Sequence, residues 1–195
     1  MKNIALTIFL TSLIACAPVK PASLQATLTP EQAQKSMQDA GALKPEHALL
    51  NKFVGNWKAE TKVWMDPAKS PEVSKGHATA NLIYGGRFLQ YSYKGKFMNQ
   101  PFNGQGTMGY DNVSGKYFST WIDSMSTMMM RSEGAAASNN SLVLSSAMVC
   151  PMTREHLDSE EVYTFMDKNN YKFEVFQNQN GQKFKAMEIN YKRVK

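Results

Sequence analysis

From Trp57 onward, apolar and polar residues alternate with a period of two. Trp57, Ala59, Thr61, Val63 and Met65 fall on one side, and Lys58, Glu60, Lys62 and Trp64 on the other. That spacing predicts a strand with one buried face, because successive side chains of an extended chain point to opposite sides. The same alternation, clean or blurred, recurs over residues 76–84, 87–94, 102–110, 116–123, 126–133, 141–149, 160–167, 171–177 and 183–193. Turn-forming runs separate these segments: DPAKSP, GG, DNVSG, SNN, CPMTR, DKNN and NQNG. About ten short strands with no helices between them predict an all-β fold, an antiparallel barrel or sandwich. A closed barrel has the advantage of leaving no exposed edge. No fixed repeat suggests a propeller or solenoid.

Ahead of the strands the period lengthens. Thr29-Pro30-Glu31-Gln32 supplies an N-cap, a proline at the first helical position and a glutamine to complete a capping box, and Gly41 supplies a stop. A helix over residues 30–40 is expected. A second short helix over 45–54 would gather Leu49, Leu50, Phe53 and Val54 on one side before Gly55 ends it. The barrel is therefore preceded by one or two short helices.

The first residues, MKNIALTIFLTSLIAC, carry one cation and then an apolar run too short to span a bilayer, which needs roughly 20 residues. They read as an export signal. Its end, Leu13-Ile14-Ala15-Cys16, resembles the bacterial lipobox, in which cleavage before the cysteine is coupled to acylation of its thiol and amine; the alternative is an ordinary export signal with an incidental cysteine. Several acyl chains anchor firmly where one does so only marginally. Ala17 stands where inner-membrane retention usually has Asp, so the expected site is the outer membrane, facing the periplasm. The expected organisation is a signal at 1–15, lipidated Cys16 and a proline-containing tether through 28, an N-terminal helix at 29–44 and a barrel domain at 45–195.

Composition adds two exclusions. The formal charge of +6 is scattered, without a basic run or a nucleic-acid motif, so no nucleic-acid partner is expected. Of two cysteines, Cys16 would be lipidated, leaving Cys150 in VCPMTR alone and excluding a disulfide framework. A chain of 195 residues is long enough for one domain to bury a core without such staples.

Gly55-Asn56-Trp57, following a short helix, together with Arg193 in the last strand, resembles the calycin superfamily of lipocalins and fatty-acid-binding proteins. There a first-strand Trp packs against a cation from the end of the barrel, a favourable contact. A longer run, GGRFLQYSYKGKFMNQPFNGQGTMGYDNVSGKYFSTWIDSMST, with KAMEINYKR near the end, is similar to the bacterial domain-of-unknown-function family 1579 over residues 47–193. The resemblance implies a calycin-like barrel in which Trp57 and Arg193 are structural, and it transfers no catalytic residue.

If Arg193 faces inward, so do Tyr191, Ile189 and Met187. The same alternation turns Leu89, Tyr91, Tyr93, Met108, Tyr110, Tyr117, Trp121, Asp123, Met128, Met130, Met148, Phe173 and Val175 inward. Four methionines crowd six positions at 125–130. On a strand Met128 and Met130 face one way and Met129 the other, which favours pocket or core lining over convergence on one ion. Candidate ligand-binding residues are Arg87, Tyr91, Met108, Trp121, Asp123, Met128, Met130 and Met187, around a small apolar or amphipathic molecule; a barrel simply filled by these side chains is equally compatible. Arg87 and Asp123 would anchor a ligand or pair with each other.

No metal or cofactor is expected. Met125, Met128, Met152 and His156 are conceivable Cu(I) ligands but belong to strand patterns, and His47, His77 and His156 lack zinc spacing. Nitrobindin-type haem ligation uses a histidine near the C-terminus, absent from KFKAMEINYKR. The acidic segment 155–161 reads as a solvated turn and strand start. Hydrolase, phosphate-loop and metalloprotease motifs are missing. The leading expectation is a membrane-anchored, non-catalytic carrier. The alternatives are an enzyme acting on a lipid-like substrate with Asp123 as base, and an envelope interaction protein that uses an outer face including Trp64.

Overall fold

The computed structural model describes residues 28–138, 140–150, 153–179 and 181–195. The expected export signal, Cys16, most of the expected tether and Met152 lie outside them. An α-helix, α1 (Pro30–Gly41), and a 3-10 helix (Pro45–Lys52) precede ten strands: β1 (Gly55–Val63), β2 (Glu72–Ile83), β3 (Phe88–Phe97), β4 (Gln100–Asp111), β5 (Lys116–Asp123), β6 (Met130–Ser138), β7 (Ser141–Val149), β8 (His156–Asp167), β9 (Asn170–Gln179) and β10 (Gln182–Arg193). Each strand pairs antiparallel with the next, and β1 also pairs with β10, so the sheet closes into a barrel without edges. The ten-stranded all-β expectation is borne out, and so is the helical lead-in.

The reading of residues 126–133 as a strand is corrected. Asp123 Oδ1 accepts from the backbone N–H of Met125 (2.8 Å) and Ser126 (3.1 Å), and Ser126 Oγ accepts from Met128 N–H (3.3 Å). These side chains offer the backbone a local alternative to the ladder. The chain therefore turns through 124–129, and β6 starts at Met130, opposite Trp121. Met128 sits in this loop and not on the strand, with Met125 and Met129 exposed.

Thr29 caps α1 as its sequence suggests: its hydroxyl accepts from Gln32 N–H while Gln32 Oε1 accepts from Thr29 N–H. No residue of α1 is buried. What docks it is polar. Asn112 Nδ2 reaches the carbonyls of Asp39 (3.2 Å), Ala40 (3.0 Å) and Ala42 (2.7 Å), and Arg87 Nε donates to Gly41 O (2.9 Å). The 3-10 helix is different: His47 and Leu50 are buried and, with Phe53 just beyond, plug one end of the barrel. On the outside, the β1–β10–β9 seam carries a chain of ion pairs, Lys62–Glu188 (3.4 Å), Lys185–Glu188 (2.7 Å), Lys185–Glu174 and Lys172–Glu174 (2.9 Å).

Candidate functional site

Directly opposed residues of antiparallel strands point to the same face, so the pairing register sorts the whole wall. Trp57 faces Arg193 on one side and Ala78 on the other. Carried around the barrel, the register turns inward Leu89, Tyr91, Tyr93, Met108, Tyr117, Ser119, Trp121, Met130, Ser132, Leu144, Ser146, Met148, Glu161, Tyr163, Phe173, Val175 and Met187.

The end plugged by the 3-10 helix is close-packed. Leu50, Trp57, Leu89, Met108, Leu142 and Leu144 are all buried to 2% exposure or less. Trp57 Nε1 donates to Phe53 O (2.8 Å), and the Arg193 guanidinium lies 4.0 Å from the centroid of the Trp57 ring. That guanidinium also donates to Val54 O, to Lys52 O (3.2 Å) and to Lys168 O (2.9 Å). Gly55 is required beside it: its φ is +133°, and a Cβ there would collide with Arg193 Nη1. The Trp–Arg pair thus clamps the plug onto the strands.

Away from that end the packing loosens. Tyr91, Phe102, Trp121, Met130, Met148, Glu161, Val175 and Met187 all face inward yet remain only half-buried. The aromatic rings there lie along the wall. A Cβ at Gly104 would fall 2.6 Å from Trp121 Cη2, one at Gly106 2.6 Å from Tyr91 Cζ, and one at Gly95 2.7 Å from Tyr93 Cε1. Each ring occupies the space that a side chain on the neighbouring residue would otherwise take. Tyr91 and Trp121 stack with centroids 5.7 Å apart, and Trp121 and Phe102 at 6.4 Å.

A belt of hydroxyls and one carboxyl crosses the middle. The Tyr91 hydroxyl donates to Thr120 O (3.0 Å) and pairs with Ser119 Oγ (2.7 Å). Ser132 Oγ donates to Glu161 Oε2 (3.0 Å), and the hydroxyls of Ser146 and Tyr163 lie near enough to favour the charged form of this carboxyl. Burial pushes the Glu161 carboxyl above the usual range, while its three hydroxyl partners pull in the opposite direction. Burial likewise raises the phenols of Tyr91, Tyr163 and Tyr191. Thr61 and Tyr93 share a further hydroxyl contact at 3.0 Å.

Among the sequence candidates, Tyr91, Trp121, Met130 and Met187 come together in the looser half. Met108 faces inward but is sealed within the plugged end. Asp123 lies at the opposite rim, where Oδ2 accepts from Trp121 Nε1 (3.1 Å) and Oδ1 holds the 124–129 turn. The inward placement of Arg87 is corrected. It leaves the Tyr84–Gly86 turn on the outside, exposed and bonded to Gly41 O and Tyr84 O, at the other end of the barrel from Asp123. The two cannot pair. The reading of 155–161 as a turn and strand start holds, with β8 beginning at His156 and Glu155, His156 and Asp158 exposed, but it is corrected at Glu161, which shares the inward parity of Tyr163 and Phe165. The sequence held that signal in Glu161-x-Tyr163-x-Phe165, masked by the outward acids Asp158 and Glu160 beside it. Among the described residues no three His, Cys, Asp or Glu side chains gather to hold a metal ion.

The barrel is similar to solved structures. Rv2717c from M. tuberculosis matches with a TM-score of 0.56 at 15% identity, covering 79% of this chain and all of its own. The S-type phycobiliprotein lyase CPES from Guillardia theta matches with a TM-score of 0.50 at 10% identity, covering 78% of this chain and 99% of its own. At these identities the likeness is one of fold. No curated protein sequence matches the chain. The family model described as "Protein of unknown function (DUF1579)" matches residues 42–193, which span all ten strands and the 3-10 plug, and the chain therefore belongs to the DUF1579 family.

Proposed function

We propose that this protein is a non-catalytic carrier that takes a small apolar or amphipathic molecule into the barrel, held at the cell envelope by lipid on Cys16. The observation that supports it is the contrast between the two ends: one plugged and packed to near-zero exposure, the other lined by half-buried Met and aromatic side chains whose rings lie against the wall. Apolar lining with a few convergent polar groups is the usual make-up of a small-molecule pocket. The ligand would pass the rim formed by the 124–129 loop and the β3–β4 turn and rest on Tyr91, Trp121, Met130 and Met187. A catalytic reading finds no support at Asp123, whose two oxygens are already committed to Trp121 and to the rim turn.

Titration with the neutral fluorophore N-phenyl-1-naphthylamine tests the carrier reading. Saturable one-to-one enhancement is expected, weakened by Trp121→Ala and unaffected by a change outside the barrel such as Arg87→Ala. Absence of saturable binding by the folded protein, with nothing co-purifying in native mass spectrometry, would instead mean a filled barrel acting through its outer surface.

A further inference from the structure

Building on the carrier reading, we infer that the molecule taken into the barrel is an amine, its ammonium group seated against Glu161. The argument begins with what the wall lacks. Among the described strands, the inward positions set by the register hold no lysine, and Arg193 is their one arginine, committed to Trp57 and to three carbonyls at the plugged end. The protein's excess of basic residues is otherwise turned outward or lies outside the strands. Glu161 is the one carboxyl in the belt, with Asp123 and Glu72 at the rim.

The groups that face the Glu161 carboxyl with hydrogen-bonding capacity are hydroxyls. Ser132 reaches it from β6 and Ser146 from β7, and Tyr163 lies two residues along β8. From β9 the opposed residue is Val175, and from across the barrel the titratable group that faces it is the phenol of Tyr91. No cation approaches from any of these elements. Three hydroxyls solvate a carboxylate without balancing its charge, and a buried charge is costly unless paired. An ammonium supplies the missing partner through charge-assisted hydrogen bonds.

The surroundings suit the same chemistry. Tyr163 and Phe173 lie with centroids 4.6 Å apart beside the carboxyl, and the Tyr91–Trp121–Phe102 stack lines the path to it. Aromatic faces attract organic cations. Directly opposed to Glu161 on β7 is Leu144, fully buried, and the next inward residue along β8 toward the plugged end is the buried Tyr163, so the carboxyl marks the floor of the looser half. An amphiphilic amine would enter head first and leave its apolar body on Met130, Met148 and Met187. A fatty carboxylate would place its negative charge beside Glu161 with no cation to accept it.

Displacement of bound N-phenyl-1-naphthylamine by decylamine, decanol and decanoate at pH 7.5 tests the assignment, because the three share a tail and differ in head. Decylamine is expected to displace the probe at roughly tenfold lower concentration than decanoate, in line with the strength of charge-assisted bonds. Glu161→Gln should lose the preference, read relative to the variant's own probe affinity, and lowering the pH until Glu161 takes a proton should weaken it in the wild type. Equal displacement by all three, a preference for decanoate, or a preference that survives Glu161→Gln would overturn the amine assignment while leaving the carrier reading standing. The order of the three heads on the wild-type protein decides the matter even if the variant does not fold. Failure of the probe itself to bind removes the carrier reading, and the amine assignment with it.

Discussion

Replacing Arg193 with methionine removes a guanidinium that donates to three main-chain carbonyls and lies 4.0 Å from the Trp57 ring centroid. The bonds to Val54 O and Lys52 O are partly buried and each is worth about 1.5 kcal/mol; the exposed one to Lys168 O adds about 0.5 kcal/mol. The cation–ring contact adds about 1 kcal/mol. Methionine keeps the apolar contact with the indole, so the loss should total about 4.5 kcal/mol, or roughly 13 °C in Tm for a domain of this length. Arg193→Lys preserves a cation near the ring and at most one of the carbonyl bonds, and should cost about half as much. Urea unfolding followed by circular dichroism gives both values. Hydrogen exchange should show the Leu50 and Phe53 amides losing protection first, since the clamp holds the plug. A loss below about 1 kcal/mol for Arg193→Met would show that the plug is held by the packing of Leu50 and Phe53 alone, and the clamp argument would fail.

Other predictions follow from single contacts. Burial raises the folded-state pKa of Glu161 above its unfolded value, so its penalty is absent below about pH 4.5, the ordinary value for the unfolded chain, and grows as pH rises toward the folded-state pKa. Glu161→Gln should therefore be more stable than wild type at pH 8, with the gain fading by pH 4; an equal effect at both, read by thermal melts, contradicts the buried carboxyl. Gly106→Ala places a Cβ 2.6 Å from Tyr91 Cζ and against Thr120 O, and should cost about 2–3 kcal/mol with a changed near-UV spectrum; an unaltered spectrum would mean that the ring does not lie on this glycine. Asn112→Ala removes three bonds to the end of α1, so tryptic cleavage at Lys35 should accelerate with little change in Tm, and unchanged cleavage would show that α1 is docked by something else. Cys16→Ala should abolish incorporation of labelled palmitate and release the protein from the membrane fraction; label retained by the variant would rule out the anchor.

Two short stretches within the run that resembles the family have structural uses in this chain. In Gly-Tyr-Asp-Asn, Asp111 Oδ1 accepts from Val113 N–H (2.9 Å) to make the β4–β5 turn, and Asn112 gathers the carbonyls that end α1. In Trp-Ile-Asp-Ser, Asp123 shapes the rim and fixes the Trp121 indole. Asp123, read from the sequence as a candidate base, has as partners the Trp121 indole and backbone groups two and three residues on, which alternation does not reveal.

Period-two alternation determined the strands other than β6 and their inward faces, since side-chain direction in an extended chain depends only on parity along the strand; the clamp of Trp57 by Arg193 was implied by the calycin resemblance, and the 124–129 turn set the start of β6. The N-cap and proline at residues 29–30 likewise marked the start of α1 from local bonding alone. Closure of the sheet decided the rest. Only the pairing register brings Ser132, Ser146 and Glu161 from three strands onto one carboxyl, lays Trp121 and Tyr91 on the bare backbone of Gly104 and Gly106, and sends Arg87 outside to the end opposite Asp123. These are contacts between residues distant in sequence, and a linear pattern gives the face of each residue but not the height at which the strands meet.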